Sequence, residues 1–405
     1  MPLHHSIQCN VLNQKVKLDS LLLFRLNYNR ISQKGIQKIM KPTVVVAMSG
    51  GVDSSVAAAL LVEQGYNVIG MMMRLWAEET AYGFGGHNRC CTPDQMADAR
   101  RIANQLGIPF YVLDTQQVFR KKIVQFFIDQ HAQGVTPNPC MACNRHIRFE
   151  WLLNHALALD ADYLATGHYA RITQASNGKL ELRRAYTLEK DQSYVLSVLN
   201  QEQLRHAMFP IGEYTKPQVR ELAEKFGLAV ASKSDSQDLC FLGDGDYRRF
   251  LREYGPSEMF VPGPIILTDG TQLGEHQGLA NYTIGQRKGL GIAYREPLYV
   301  LKLDTKNNTL VVGTREQLGQ DTLTTGPFNW ISGEAPSSAF EAEVKIRYKS
   351  KPHKGVVQPL ADGRVQIKFH QPLRDITPGQ GAVVYQDDLC LGSGIIERQP
   401  VLIEN

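Results

Sequence analysis

The chain has 405 residues, 43% of them hydrophobic and 21% charged, the balance of an ordinary globular protein with room for two or three cores. It has no run of about 18 apolar residues, which excludes a membrane-spanning helix. Its net charge of +4 is concentrated at one end: residues 1–40 carry six Lys/Arg (Lys15, Lys17, Arg25, Arg30, Lys34, Lys38) against Asp19, and the remainder holds 38 basic and 39 acidic residues. Any nucleic-acid reading must therefore rest on local clusters.

The leader 1–40 has weak periodicity, and its apolar stretch Leu21–Leu26 is interrupted by Arg25, unlike a secretory signal. Being basic and acid-poor it fits a transit peptide in part; a disordered tail or a start assigned too early fits as well. Thr43–Met48 (TVVVAM) then predicts a buried parallel strand. Asp53-Ser54-Ser55 opens a helix through Gln64, and Asn67–Met73 is a second strand. Thr92-Pro93-Asp94-Gln95 forms a capping box for a helix closing at Gly107. Phe110–Leu113, a helix through about Gln130, a helix over roughly Arg148–Leu159 and a strand at Tyr163–Thr166 follow. Strands alternating with helices predict an α/β fold with a doubly wound parallel sheet over 41–246.

From about residue 247, Gly and Pro become frequent and short strands replace helices. Val300–Leu303 and Thr309–Val312 read as a hairpin in a small β-rich central domain, 247–318. Ala342–Arg347, Gly355–Gln358, Val365–Phe369 and Gly381–Tyr385 predict a C-terminal β-barrel over 319–405.

The most informative segment is Ala47-Met48-Ser49-Gly50-Gly51-Val52-Asp53-Ser54. Two glycines between a buried strand and a helix N-terminus let the backbone approach an anion, toward which the free N–H groups of the first turn point. Ser49 and Ser54 add hydroxyl donors, and Asp53 suits a Mg²⁺ bridging phosphates. No Gly-Lys-Ser/Thr follows, so this is not a Walker A loop, and loss of whole pyrophosphate is more natural than γ-phosphoryl transfer. The loop resembles that of the PP-loop ATP pyrophosphatases, which adenylate an oxygen.

Seven cysteines (9, 90, 91, 140, 143, 240 and 390) are an odd, sparse set. Disulfide scaffolds are small and Cys-dense, so these point to a reducing, cytoplasmic setting with reactive or metal-binding thiols. Cys140 and Cys143 lie in a proline-punctuated loop, Thr136–Asn144, just before a helix whose dipole favours thiolate. Cys240 lies in another polar loop, Ser236–Phe241. Adenylation creates a leaving group that sulfur can displace, so two loop cysteines beside an ATP loop point to sulfur transfer. Metal alternatives stay open: Cys140 and Cys143 as half of a zinc site, or Cys140, Cys143 and Cys240 as ligands of a 4Fe–4S cluster with one open iron. Cys9, Cys90, Cys91 and Cys390 receive no role.

Longer motifs narrow the resemblance. AMSGGVDSSV (47–56), TPNPCMACN (136–144), ATGHYAR (165–171), KDQSYVL (190–196), SDSQDLCF (234–241), YTIGQRKGLG (282–291) and IRYK (346–349) are similar to those of bacterial tRNA-specific 2-thiouridylases. The likeness runs from about Thr43 to Glu397, with no counterpart for the leader. It implies ATP-dependent formation of 2-thiouridine at wobble position 34 of tRNA, with sulfur from a cysteine desulfurase or a relay protein. It places Ala47–Ser54, Met73 and Gly167 at ATP, with Cys143 as nucleophile and Cys240 as persulfide carrier. The implied sequence is adenylation of uridine O2, sulfur delivery to C2, loss of AMP, and a closing Cys143–Cys240 disulfide. Asn138, Pro139 and Cys140 would touch the extruded base; Cys140 stands where many relatives hold Asp. His168, Asp191, Gln192, Ser193, Arg347, Tyr348 and Gln380 would contact the anticodon stem-loop.

Two basic clusters fit such a partner: Lys345–Lys354, with five Lys/Arg and no acid, and Gln286-Arg287-Lys288. A PP-loop ligase of a small metabolite, like argininosuccinate or GMP synthetase, would explain the loop but not the cysteines or the basic clusters. An RNA-binding protein with a degenerate loop would not explain the intact one.

Overall fold

The computed structural model describes residues 41–78, 92–233 and 239–398. The leader, Cys9, Cys90, Cys91 and Ser236-Gln237-Asp238 lie outside them. Among the described residues no helix is long and apolar enough to cross a membrane.

The first sheet is parallel, with strands β1 (Thr43–Ala47), β2 (Asn67–Arg74), β3 (Phe110–Asp114), β4 (Tyr163–Thr166) and β7 (Ala207–Met208) in the order β3-β2-β1-β4-β7. Because side chains alternate along a strand, Val45 enters one core and Val44 and Val46 the other. Such two-sided burial is why TVVVA reads as continuously apolar. Helix α1 (Val52–Glu63) follows β1, and α2 (Pro93–Gln105) carries the expected capping box, with Gln95 N–H on Thr92 Oγ1 and Thr92 N–H on Gln95 Oε1. The chain moves outward from β1 to β3, then crosses to β4 on the other side of β1. Ligands of such sheets bind at this switch point, beyond the C-terminal ends of the strands.

Helix α3 runs through Gln116–Phe119, Arg120–Val124 and Gln125–Ala132, and α4 through Pro139–Cys143, Asn144–Leu152 and Leu153–Ala158. Their middle pieces are π-wound, a rare geometry that is frequent at functional sites. The α/β part closes with α5 (Lys216–Lys225) and α6 (Tyr247–Tyr254). α6 corrects the expectation that helices end before 247: Asp246 caps it, accepting from the N–H groups of Arg248 and Arg249.

The central sheet orders β8 (Gly263–Ile266), β9 (Gln272–His276), β10 (Tyr299–Asp304) and β11 (Thr309–Gly313) as β10-β11-β8-β9, including the predicted hairpin. The third sheet contains β12 (Gln320–Thr325), β13 (Asn329–Trp330), β14 (Phe340–Lys345), β15 (His353–Pro359), β16 (Val365–Leu373), β17 (Gly381–Gln386) and β18 (Leu389–Ile395), ordered β12-β16-β15-β14-β17-β18 with β13 paired to β18. A bridge from Thr325 to Ile396 brings β12 back to the end of β18 and closes the barrel. Hairpin β5 (Ala170–Gln174) and β6 (Leu180–Arg184), from the α/β part, extends this sheet through Cys390 opposite Leu182. Barrel and α/β layer are thereby hydrogen-bonded into one unit.

Candidate active site

The phosphate loop sits at the switch point. Gly50 has φ +70°, a left-handed conformation that a Cβ would strain, and that Cβ would lie 2.3 Å from Gln95 O. Gly51 is the N-cap of α1 without a side-chain cap, so the amides of the first turn face the crevice for an anion to meet. Ser49 N–H donates to Ser54 Oγ at 3.1 Å, and the two hydroxyls lie 3.2 Å apart, which folds the loop back over the helix start. Across the crevice, Gly167 directly follows β4, where a Cβ would stand 2.6 Å from Ser54 N. Met48 and Val52 are buried and Ala47 is half-buried, and Met73 is buried near the end of β2.

Two lysines that sequence reasoning missed flank this loop. Lys216, buried at the start of α5, donates to Asp53 Oδ1 at 2.7 Å, and Tyr169 OH donates to the same oxygen at 2.7 Å. Lys233 bridges Gly50 O and Asp98 Oδ2, each at 3.0 Å. Thr187, Lys190, Lys216 and Arg220 help line an adjoining cavity of about 530 Å³. A lysine absent from the loop itself is thus supplied from α5. Locally, Thr215-Lys216-Pro217 is a helix-start signal, with Thr215 and Gln218 forming a capping box, so nothing marks Lys216 as functional. Replacing Lys216 with Met is expected to cut ATP-dependent pyrophosphate release on the order of ten- to a hundredfold, as charge stabilisation of a leaving phosphate is lost. Steady-state pyrophosphate assays across ATP concentrations check this.

The cysteine segment differs from expectation. Cys140 and Cys143 lie in the first turns of α4, not in a loop before a helix: Asn138 caps it, its Oδ1 accepting from Met141 N–H at 3.1 Å, and Pro139 occupies the first helical position. The prolines that read as loop punctuation are a helix-start signal, because Pro at that position loses no hydrogen bond. Cys143 is buried in the core that also holds Val45 of β1; Cys140 is exposed. The barrel holds the approach to α4. Gln380 Nε2 donates to Thr136 O and Pro137 O at 2.9 and 3.1 Å, and Tyr194 OH donates to Gly381 O at 3.0 Å.

Cys240 is half-buried in a turn closed by Leu242 N–H on Leu239 O at 3.1 Å, and it packs against the same core as Cys143. The next residue, Phe241, is buried among Phe119, Phe127 and Phe250, with ring centroids 5.4–6.2 Å away. Burial of such a ring contributes about 1.5–3 kcal/mol. Among the described residues no three His, Cys, Asp or Glu side chains gather as a metal-binding group. The set Cys140, Cys143 and Cys240 is therefore not assembled for a cluster in this arrangement.

Some of the remaining predicted contact positions lie where barrel and α/β layer meet. Asp191 and Ser193 are buried: Asp191 accepts from Ala185 N–H at 3.0 Å and Ser193 Oγ–H at 2.8 Å, and Ser193 Oγ lies 3.1 Å from Tyr385 OH. Gln192 Oε1 accepts from Tyr169 N–H at 3.0 Å. His168 is buried with Nδ1 2.6 Å from Thr166 Oγ1; burial, with Arg148 adding to it, holds the imidazole well below its ordinary pKa and so neutral. Arg347 donates to Asp375 O at 3.1 Å and to Ile284 O at 3.3 Å, and its burial lowers its pKa. Tyr348 is exposed beside Tyr194, with the Lys345 ammonium 5.6 Å from its ring centre. Lys349, Lys351, Lys354, Arg287 and Lys288 are exposed.

Residues 42–244 match the family described as tRNA methyl transferase HUP domain, 248–314 its PRC-barrel domain and 320–396 an aminomethyltransferase β-barrel domain. A tRNA-specific 2-thiouridylase of Acetivibrio thermocellus is 48% identical over 361 residues, covering 88% of this chain and 99% of that protein. One of Heliobacterium modesticaldum is 48% identical over 361 residues, covering 89% and 93%. Among solved structures, a U34-tRNA thiolase from Methanococcus maripaludis with its 4Fe–4S cluster aligns at TM-score 0.31 and 18% identity, over 58% of this chain and 74% of that one. That likeness is too slight to carry an argument. By nearly full-length identity to curated relatives, the chain belongs to the tRNA-specific 2-thiouridylase family.

Proposed function

We propose that this chain is an ATP-dependent tRNA-uridine 2-sulfurtransferase that makes 2-thiouridine at wobble position 34. The observation that carries this reading is the sharing of one core by three parts: β1, which ends at the phosphate loop, α4, which bears Cys143, and the turn that bears Cys240. ATP lies along the uncapped start of α1, its phosphates toward Ser49–Ser54, Gly167 and Lys216. Mg²⁺ would be held by Asp53, whose two donors on Oδ1 leave lone pairs over; it would offset the negative charge of the leaving pyrophosphate. Uridine O2 attacks the α-phosphorus and pyrophosphate leaves. The terminal sulfur of a Cys240 persulfide then bonds to C2 and AMP departs with the O2 oxygen. Cys143 thiolate attacks Cys240 Sγ, releasing 2-thiouridine and forming a disulfide, which an external dithiol reduces. Sulfur arrives from a cysteine desulfurase or relay protein, and the enzyme works in the cytoplasm.

The base must leave its stack for C2 to be reached. The exposed lysines of 349–354 and Arg287-Lys288 suit tRNA phosphates, and Tyr348 offers a stacking face. At Asp191, Ser193 and Gln380, side chains occupied within the protein would shape the tRNA-facing wall. The thiouridylase reading is preferred over the methyl transferase wording because methyl transfer from a sulfonium donor has no use for an ATP loop. Incubation with tRNA, ATP and a persulfide donor is expected to give 2-thiouridine and pyrophosphate; pyrophosphate released with a small metabolite and no tRNA would sink the reading. The iron–sulfur variant is not favoured, since the three cysteines form no ligand group. Anaerobically purified protein is expected to thiolate tRNA equally with and without an iron chelator; loss of activity tracking loss of iron would reinstate the cluster.

A further inference from the structure

Glu78 is a carboxylate only 1% exposed, far from the phosphate loop in sequence and without a part in the reaction as derived. Buried charge is costly unless paired, and its pairing here is specific. Glu78 Oε1 accepts from Gly243 N–H and from Arg249 Nη2, the latter at 2.6 Å. Glu78 N–H reaches back to Phe241 O at 3.5 Å. One residue therefore brackets the chain at 241 and 243, immediately after Cys240. Arg249 lies in the first turn of α6 and also binds Asp244, through Nε at 2.7 Å and Nη2 at 3.0 Å, and Glu253 at 2.8 Å. Asp244 and Glu253 hold the guanidinium in place, and its Nη2 holds Glu78. The same turn is also held by Leu242 N–H on Leu239 O at 3.1 Å and by the packing of Phe241 and Leu242.

We propose that Glu78 and Arg249 form a positioning clamp that sets the Cys240 turn for sulfur delivery. Neither residue touches ATP or the reacting atoms. The inference rests on Cys240 being the sulfur carrier. Glu78, buried, and Arg249, whose side chain is 35% exposed, bind Phe241, Gly243 and Asp244 just after Cys240 and Glu253 within α6, and so constrain that turn. Loss of the clamp lets the turn relax away from its alignment, a displacement on the scale at which reaction rates fall steeply. Adenylation, which uses the loop Ser49–Ser54, is expected to proceed.

The test measures single-turnover pyrophosphate release and 2-thiouridine formation side by side for Glu78→Gln, Glu78→Ala and Arg249→Lys, with thermal midpoints as a check on folding. Glu78→Gln keeps an acceptor for Gly243 N–H and removes the ion pair, so it folds even where Glu78→Ala does not. The expected result for Glu78→Gln is pyrophosphate release within a few-fold of wild type and thiolation reduced on the order of tenfold or more, with Arg249→Lys between the two. Thiolation per pyrophosphate equal to wild type, or both rates falling in proportion, would overturn the clamp. Full thiolation by Cys240→Ser would instead overturn the sulfur-carrier reading on which it rests.

Discussion

Cys240→Ser is expected to abolish 2-thiouridine formation while pyrophosphate is still released on mixing with ATP and tRNA. The hydroxyl is nearly the same size as the thiol, and Cys240 is half-buried at the margin of the core, so the fold tolerates the change. Serine cannot carry a transferable sulfur, and removal of a covalent carrier costs on the order of a thousandfold or more. Cys143→Ser should fail differently. Sulfur reaches C2, but no thiolate resolves the adduct, so tRNA stays joined to Cys240 through a disulfide visible on a non-reducing gel and released by dithiol. The two variants thus stall on either side of sulfur transfer. Rapid-quench measurement of pyrophosphate, AMP and thiouridine separates them, and wild-type thiouridine yield from Cys240→Ser would be fatal to the mechanism.

Gly50→Ala carries the second large effect, on ATP use and on stability together. A left-handed backbone costs a non-glycine residue roughly 1–2 kcal/mol, and here the new Cβ also meets backbone, Gln95 O at 2.3 Å and Gln95 C at 2.9 Å. Relief requires moving the loop or the start of α2, which drags the phosphate cradle with it. Pyrophosphate release should fall on the order of a hundredfold or more, with the thermal midpoint lowered by several degrees. Gly51→Ala is the control: its φ is −100°, and its Cβ would meet only Ser49 Oγ at 3.4 Å. It should keep its thermal midpoint. Equal destabilisation by both would contradict the backbone account.

These contrasts mark what was legible in the chain. TVVVA declared its two-sided burial by composition, and Ser49–Ser54 declared an anion site by glycine placement between strand and helix. Thr92 and Gln95 declared a helix start by spacing, and the structure holds both of their hydrogen bonds. The beginning of α4 was equally legible, since Asn138 followed by Pro139 is a start signal; weighting the prolines as turn formers hid it. Other features have no local signature. Hairpin β5–β6 finds its partner in Leu389 and Cys390, some two hundred residues on, and long-range pairing leaves no periodicity to read. Lys216 becomes part of the site only because α5 packs against α1 and brings it to Asp53. Asp191 and Ser193, placed at tRNA by resemblance alone, also bond within the protein, where Asp191 ties Ala185 to Ser193 and Ser193 reaches Tyr385.

The central claim is that ATP activates the uridine O2 oxygen and that sulfur then displaces it. A tRNA carrying isotopically heavy oxygen at O2 of the wobble uridine tests this directly, by mass spectrometry of the AMP formed during thiolation. The account predicts one heavy oxygen in the phosphate of every AMP, because the C2–O2 bond breaks and the O2–phosphorus bond stays. Unlabelled AMP, with the heavy oxygen recovered in water, would contradict it.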